Sequence, residues 1–542
     1  MTAQLTNSPY PSSNGDGTGG SVPTLSNYVA FNGDISNAQI GFDPHQVMGV
    51  TLTNGAIISV GSALNVENEN AKGEAIITRM DLCADLADYT TPSGTYVVAA
   101  EDELNCAQHF TWSWRTNTAS TYEKLNWAAL SPDETFILAV GTRDTASNGN
   151  TQARWVVKVD VETGSKVWEF DLSNEFGGTR SGYETVAFTA DGGFIVGGFG
   201  KYEGDTFPPS KSGGQVEAGV PIIEKFSVDI ANANSLTNNV LPEWSWACEG
   251  TCSTSGSTKS VRVYNEAGIE KVVGVPGVRT SIVVLNAGSG SMLQQKVLDD
   301  AEFDGIGTSN DIEVAFDGNT VTGFVTTGLD FSQINCPDGG AECTRVGGHI
   351  TKISADLESV VWNTRFNNFA GGVGKFASVT DSDLGEAVVL TECWGLTQVA
   401  GSFIAACGQG IEGCDAFSGS MRSKCNSDPR RDWRGVAVGV AGDSGEMSWY
   451  RADNFDNKED PVFSSAYEYV MPLNNGFVMV SDELMGFGFA TYAFDDAPPP
   501  TTNTTTTVET TQTTSGTNQI LSHAMPTPLV AVYILFLCVY VQ

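Results

Sequence analysis

The residues best equipped for chemistry here are the acids. Asp plus Glu total 64 against 28 Lys plus Arg, a net charge of −36 at pH 7. Asp299, Asp300, Glu302 and Asp304 form one cluster, and Asp381, Asp383 and Glu386 a second. Two carboxylates flanking a sugar bond are the equipment of glycoside hydrolysis. In so acidic a chain, however, such clusters arise from composition alone. Oxygen-rich loops of this kind also suit calcium, which takes roughly six to eight hard ligands. Asp299, Asp300, Glu302 and Asp304 are the metal candidates and calcium is the one cofactor suggested, although neither 299–304 nor the similar stretch 453–460 has EF-hand spacing.

A Gly-Asp-Ser-Gly run at 442–445 has the residue order of a serine nucleophile loop. That chemistry needs a His base oriented by a carboxylate. The four histidines, His45, His109, His349 and His523, lie in no suitable context, so Asp443-Ser444-Gly445 reads as a turn. No catalytic residue is assigned.

Eleven cysteines come next, one of them, Cys538, close to the C-terminus. The other ten are Cys83, Cys106, Cys248, Cys252, Cys336, Cys343, Cys393, Cys407, Cys414 and Cys425, many in Gly-, Ser- and Asp-rich surroundings. That pattern suits disulfides that staple loops in an oxidising compartment. Cys83 with Cys106, Cys248 with Cys252, and Cys336 with Cys343 are the natural local pairs, and the connectivity of the last four stays open. A zinc site is disfavoured, because no His stands at ligand spacing.

The acidic balance excludes a phosphate-binding face for nucleic acid as the main role, since that task needs many cations that displace counterions. At 41% hydrophobic residues the chain is not globally disordered. The C-terminal end differs. Residues 498–500 are prolines, and 501–517 are almost all Thr, Ser, Asn, Gln and Gly, with nothing to bury against the ordering entropy. Residues 498–528 therefore read as a disordered Thr-rich stalk and spacer. Asn503 begins its Asn-Thr-Thr sequon and is the glycosylation candidate. Residues 529–542 form a hydrophobic tail, shorter than the roughly 20 residues of a spanning helix. Its length and the small residues Ser515 and Gly516 upstream fit a GPI attachment signal. Residues 1–25 are polar, with no apolar secretory core, and read as a disordered leader. A GPI anchor requires secretion, so the expectation is that a signal peptide is missing from this chain.

Between 26 and 497 one pattern recurs: apolar strand, polar turn, apolar strand, loop, apolar strand, turn, and a fourth strand often carrying Trp. The clearest copy is NWAALSPDETFILAVGT followed by ARWVVKVDVETGSKVWEF. Others are QVMGVTLTNGAIISVGSAL with EAIITRMD and FTWSWRT; ETVAFTADGGFIVGGFG with IIEKFSVDI and PEWSWAC; EKVVGV with TSIVVLNAGSGSMLQQKVL; NDIEVAFDGNTVTGFVTTG with GHITKISADLESVVWNTRF; FASVTDSDLGEAVVLTECWG with GVAVGVAGDSGEMSWYRA; and EYVMPLNNGFVMVSDELM with GFGFATYAF. Four short strands per unit mark a β-propeller blade. The fold class expected is all-β, a seven-bladed β-propeller. The last unit lacks a fourth strand, and NYVAFNG at 27–33 can supply it and close the ring.

VDVETGSKVW resembles the repeat of PQQ-type quinoproteins, with Asp160, Gly164 and Trp168 four apart; the spacing returns as Asn286, Gly290 and Gln294, and as Gly445 with Trp449. NDIEVAFDGNTVTGFVTTG resembles SBBP-type propeller repeats. The resemblance implies that Trp168, Trp362 and Trp449 are core residues packed between blades. The quinoproteins also carry an adjacent Cys-Cys pair, which this chain lacks, so no quinone is expected.

The stretch 393–434 breaks the sixth unit with four cysteines and a basic cluster, Arg422, Lys424, Arg430, Arg431 and Arg434. Loops on a rigid scaffold are where binding resides. The expected role is cell-surface binding or adhesion, or membership of an extracellular coat, at the outer leaflet of the plasma membrane through a lipid anchor. The ligand class is an extracellular glycan or protein, with no nucleic acid. The alternative is a glycan hydrolase or lyase using carboxylates at the channel mouth.

Overall fold

In the computed structural model the described strands form seven four-stranded antiparallel blades, two of which are joined into one eight-stranded sheet. The structure describes residues 2–4, 23–32, 48–63, 73–80, 95–98, 111–116, 123–144, 152–172, 180–202, 220–236, 240–248, 256–277, 281–298, 306–335, 342–366, 389–411, 423, 433–453, 465–473, 476–483 and 486–494. Blade 1 is Met48–Thr51, Ile57–Ala63, Glu74–Met80 and Trp112–Arg115. Blade 2 is Glu123–Leu130, Phe136–Asp144, Gln152–Asp160 and Lys166–Leu172. Blade 3 is Arg180–Phe188, Phe194–Tyr202, Pro221–Phe226 and Trp244–Ala247, and one parallel bridge, Gln152 with Arg180, joins it to blade 2. Blade 4 is Thr258–Glu266, Ile269–Pro276, Ser281–Asn286 and Met292–Val297. Blade 5 is Ile306–Asp317, Thr320–Asn335, Glu342–Ser354 and Val360–Phe366. Blade 6 is Val389–Val399, Ser402–Ile411, Arg434–Ala441 and Met447–Asp453. Blade 7 is Ser465–Leu473, Gly476–Glu483 and Gly486–Ala493, completed by Thr24–Asn32.

That last pairing is the ring closure expected from NYVAFNG. Val29 stands opposite Phe489 and Phe31 opposite Phe487 in antiparallel register. The first and last strands of the propeller thus share one sheet, and no blade is left with three strands. Two short strands, Thr95–Val98 and Thr2–Gln4, extend the same sheet beyond the closing strand. The leader 1–25 was expected to be disordered; instead it contributes the strand Thr2–Gln4 and the first residues of the closing strand.

The turns follow from local chemistry. Ser131 Oγ donates to Asp133 Oδ1 at 2.8 Å and accepts the Thr135 amide, fixing the first hairpin of blade 2. In blade 3, Asp191 Oδ1 accepts the Gly193 amide at 2.9 Å while Gly192 takes φ +84°. Ala267-Gly268 and Ala400-Gly401 are two-residue turns with both φ values positive, the form that matches the twist of paired strands.

Three sequence expectations change. Blade 4 begins one strand earlier than EKVVGV, at Thr258–Glu266, whose internal charges Lys259 and Arg262 masked the strand. SVDI in blade 3 supplies the helix Val228–Asn232 rather than the end of a strand. In blade 6 the first strand is Val389–Val399, and Ser402–Ile411 is a second buried strand within the stretch expected as an insertion. Its Cys407 lies within that strand rather than in a loop. The interruption between the second and third strands thereby narrows to 412–433, between Ile411 and Arg434.

The blades dock through tryptophan. Gly164 (φ +67°), Gly290 (φ +69°) and Gly445 (φ +72°) each lie against the indole of the preceding blade: Trp112, Trp244 and Trp362 respectively. A Cβ at Gly445 would sit 2.4 Å from Trp362 Cδ2, so only glycine permits the approach. Trp112 Nε1 donates to Val161 O at 2.9 Å, and Trp244 Nε1 to Ala287 O at 3.0 Å. Trp168 donates to Ala233 O at 3.0 Å, and Trp449 stacks on Phe477 with centroids 5.7 Å apart. Trp168, Trp362 and Trp449 are therefore interblade core, as the resemblance implied. Among the described residues no helix is long and apolar enough to cross a membrane.

Candidate functional site

The first strands contact one another around the ring and form its inner wall. Their polar side chains are the natural place to seek chemistry. Arg262, on the first strand of blade 4, donates through Nη2 to Asp311 Oδ1 and through Nε to Glu313 Oε1, both at 3.0 Å. Asp311 and Glu313 stand two apart on the first strand of blade 5, so both reach the same guanidinium. Asp311 Oδ1 also accepts Ser260 Oγ at 2.6 Å, and its Oδ2 accepts the Leu396 amide of blade 6 at 2.9 Å. One carboxylate thus fastens three blades.

The cluster extends across the axis. The Arg262 guanidinium lies 5.5 Å from the Trp127 ring of blade 2, and Trp127 meets Tyr469 of blade 7 edge-on at 5.0 Å. Five blades converge here. Burial opposes charge on Arg262, but the Asp311 and Glu313 carboxylates outweigh it and keep the guanidinium protonated. Burial raises the Glu313 carboxyl, and the neighbouring Asp311 charge adds to this against the pull of Arg262. The Tyr469 hydroxyl is pushed upward by burial and by the same two carboxylates. Asp311 is wholly buried, whereas the Glu313 side chain keeps 23% of its surface exposed.

A second buried pair lies between blades 2 and 3. Arg154 Nη1 and Glu224 Oε2 are 2.5 Å apart with no exposed surface, and Tyr183 and Ser245 also donate to Glu224. His349 is buried in blade 5 between Thr308 O and Thr351 Oγ1, each 3.0 Å from a ring nitrogen. Burial lowers it to about 4, so it is a neutral core residue.

Arg434 was expected in a surface basic patch. It is instead buried on the third strand of blade 6, where Nε and Nη2 both donate to Gln409 Oε1 at 3.0 and 2.5 Å. A strand position flanked by apolar neighbours carried it inward. Arg422, Lys424, Arg430 and Arg431 lie outside the described residues, as do Asp299, Asp300, Glu302, Asp304, Asp381, Asp383, Glu386, Asn503, Ser515 and Gly516. Among the described residues no group of three or more His, Cys, Asp or Glu is placed to hold a metal. Cys393 and Cys407, opposite each other on adjacent strands, form a disulfide. Cys248 is also disulfide-bonded. Cys83, Cys106, Cys252, Cys336, Cys414 and Cys425 lie outside the described residues, and nothing is described of the Cys343 side chain. Asp443-Ser444-Gly445 is the turn between the third and fourth strands of blade 6.

Sequence reasoning missed the axial cluster. The available signal was a charge within an apolar strand run: Arg262 in SVRVY, and Asp311 and Glu313 in DIEVAF.

No protein-family model matches this chain, and no curated protein matches it. Solved structures similar to it include BamB from Moraxella catarrhalis, at 10% identity over 87% of this chain and 100% of that one, with a TM-score of 0.36. The quinohemoprotein alcohol dehydrogenase ADHIIG from Pseudomonas putida HK5 aligns at 10% identity over 87% and 76%, with a TM-score of 0.39. The β-propeller domain of Cps50 (Swd1) from Myceliophteria thermophila aligns at 7% identity over 87% and 99%, again with a TM-score of 0.39. At these values the seven-bladed ring rests on this chain's own strand pairing, and a fold of this kind assigns no activity.

Proposed function

We propose that this chain is a surface-binding β-propeller, in which the ring is a scaffold and its loops take an extracellular glycan or protein ligand. The observation that supports this reading is the condition of the axial carboxylates. Glycan hydrolysis needs two carboxyl groups free to exchange protons with substrate and water. Asp311 is buried and bonded on both oxygens, and Glu313 shares its guanidinium.

Binding then belongs to the loops. In an antiparallel blade the links between strands two and three share a face with the links to the next blade. In chain order the interruption 412–433, with Arg422, Lys424, Arg430 and Arg431, links strands two and three of blade 6, and the acidic connection 299–304 links blade 4 to blade 5. The stalk 498–528 and the tail 529–542 complete the reading as a lipid-anchored display at the outer leaflet. The rival, a hydrolase or lyase at the channel mouth, draws on Glu313, the partly exposed axial acid whose carboxyl is raised.

The test is retention of the full chain on immobilised heparin and polygalacturonate, beside a variant with Arg422, Lys424, Arg430 and Arg431 changed to Ala. Retention by the wild type that the variant loses supports the binding role. Equal behaviour of the two chains would remove the loop patch from it.

A further inference from the structure

Among the described residues, six large hydrophobic side chains are exposed: Leu241, Ile269, Met292, Leu293, Phe316 and Val361, between 42% and 61% of the surface of each. Scattered exposed apolar residues need no explanation. These are not scattered. Leu241 precedes the fourth strand of blade 3, whereas Met292 and Leu293 open that of blade 4 and Val361 falls second in that of blade 5. Ile269 opens the second strand of blade 4, and Phe316 nearly ends the first strand of blade 5. Each position adjoins a link between strands one and two or between strands three and four. All six therefore sit at one face of three consecutive blades, opposite the loop face considered above.

The exposed charges beside them in the chain are acidic. Glu243, Asp317, Asp356 and Glu358 are exposed beside these residues in the chain. The Ser354 hydroxyl and the Glu358 amide hold the Asp356 carboxyl below its usual range, so it is ionised at neutral pH. The nearby lysines already have partners: Lys225 pairs with Asp191 and Glu243, and Lys271 with Glu266. An exposed apolar set flanked in the chain by acids, on a protein of net charge −36, disfavours a second copy and an anionic bilayer, both of which it repels. It favours a cationic amphipathic ligand, whose apolar stripe covers that set while its lysines or arginines meet the acids.

We propose that the turn face of blades 3 to 5 is a docking surface for a basic amphipathic helix of a partner protein. This surface is independent of the loop-face reading.

The experiment uses the full chain and a fluorescein-labelled amphipathic helix of leucine and lysine, followed by fluorescence anisotropy. A leucine and glutamate helix of the same pattern is the control. The expected result is binding of the lysine helix, weakening with salt, and no binding of the control. The double variant Met292→Ser, Phe316→Ser should bind about tenfold more weakly, since interface energy concentrates in a few apolar anchors. Both changes are at exposed sites, and an unchanged thermal transition verifies the fold. Asp317→Lys with Glu358→Lys should give a comparable loss and a flatter salt dependence. Equal binding by the wild type and the apolar variant, binding of both helices alike, or no binding of the lysine helix would overturn the proposal. So would concentration-dependent self-association, or flotation with phosphatidylglycerol vesicles, that the apolar variant abolishes.

Discussion

Arg262 and Asp311 face each other across a blade boundary, with the guanidinium Nη2 3.0 Å from the carboxylate Oδ1. The same carboxylate reaches a third blade through the Leu396 amide. Contacts of this kind tie neighbouring inner strands together beside their apolar packing.

Removing one partner of such a pair leaves the other charge buried. Asp311→Asn should destabilise the ring by about 3 kcal/mol, because Arg262 then keeps Glu313 as its one carboxylate partner among the described residues. Urea unfolding of the full chain measures this. A change indistinguishable from zero would mean that the axis is not held by ions.

The glycine–tryptophan contacts make a second expectation. Gly445→Ala places a methyl against Trp362 at a residue with φ +72°, so it should cost at least about 2 kcal/mol. Gly318→Ala, also at positive φ but with open space at its Cβ, should cost about 1 kcal/mol. The difference between the two variants in unfolding free energy isolates the packing term.

Burial lowers His349 from 6.5 to about 4. Its contribution is fully present above pH 6.5, where the ring is neutral in both states. It is lost as pH falls towards 4, where the unfolded chain takes up the proton first. The full loss amounts to about 3 kcal/mol. His349→Gln should flatten the stability profile between pH 6.5 and 4 relative to the wild type, while leaving the acid-driven loss below that window. Parallel profiles for the two chains would contradict a buried neutral imidazole.

Ring closure through Thr24–Asn32 carries a fourth expectation. Arg451 of blade 6 donates to Pro23 O at 2.9 Å, just before the closing strand begins. Deleting residues 1–32 should lower the thermal midpoint and promote self-association through the exposed edge of Gly486–Ala493. Arg451→Ala should lower the midpoint less. Light scattering during a thermal ramp reads both effects.

Much of the ring was legible in the sequence because its signals are local. The Asp191-Gly192-Gly193 hairpin, the turn at Asp443-Ser444-Gly445 and the spacing of Gly164 and Trp168 each span a handful of residues. NYVAFNG was legible for a different reason: counting strands left a vacancy in the last blade. The axial cluster was not legible. Arg262 and Asp311 lie 49 positions apart, and Trp127 and Tyr469 come from distant parts of the chain, so only the closed circle brings them together. Arg434 misled because a basic cluster in sequence looks continuous, while its last member belongs to a strand that turns the side chain inward.

The binding role is tested most directly by adding heparin and polygalacturonate to the full chain and to Glu313→Gln, and measuring both affinity and released reducing ends. The expected result is equal affinity for the two chains and no release by either. Release by the wild type that Glu313→Gln abolishes would contradict the binding role and make the channel mouth a hydrolytic or lyase site.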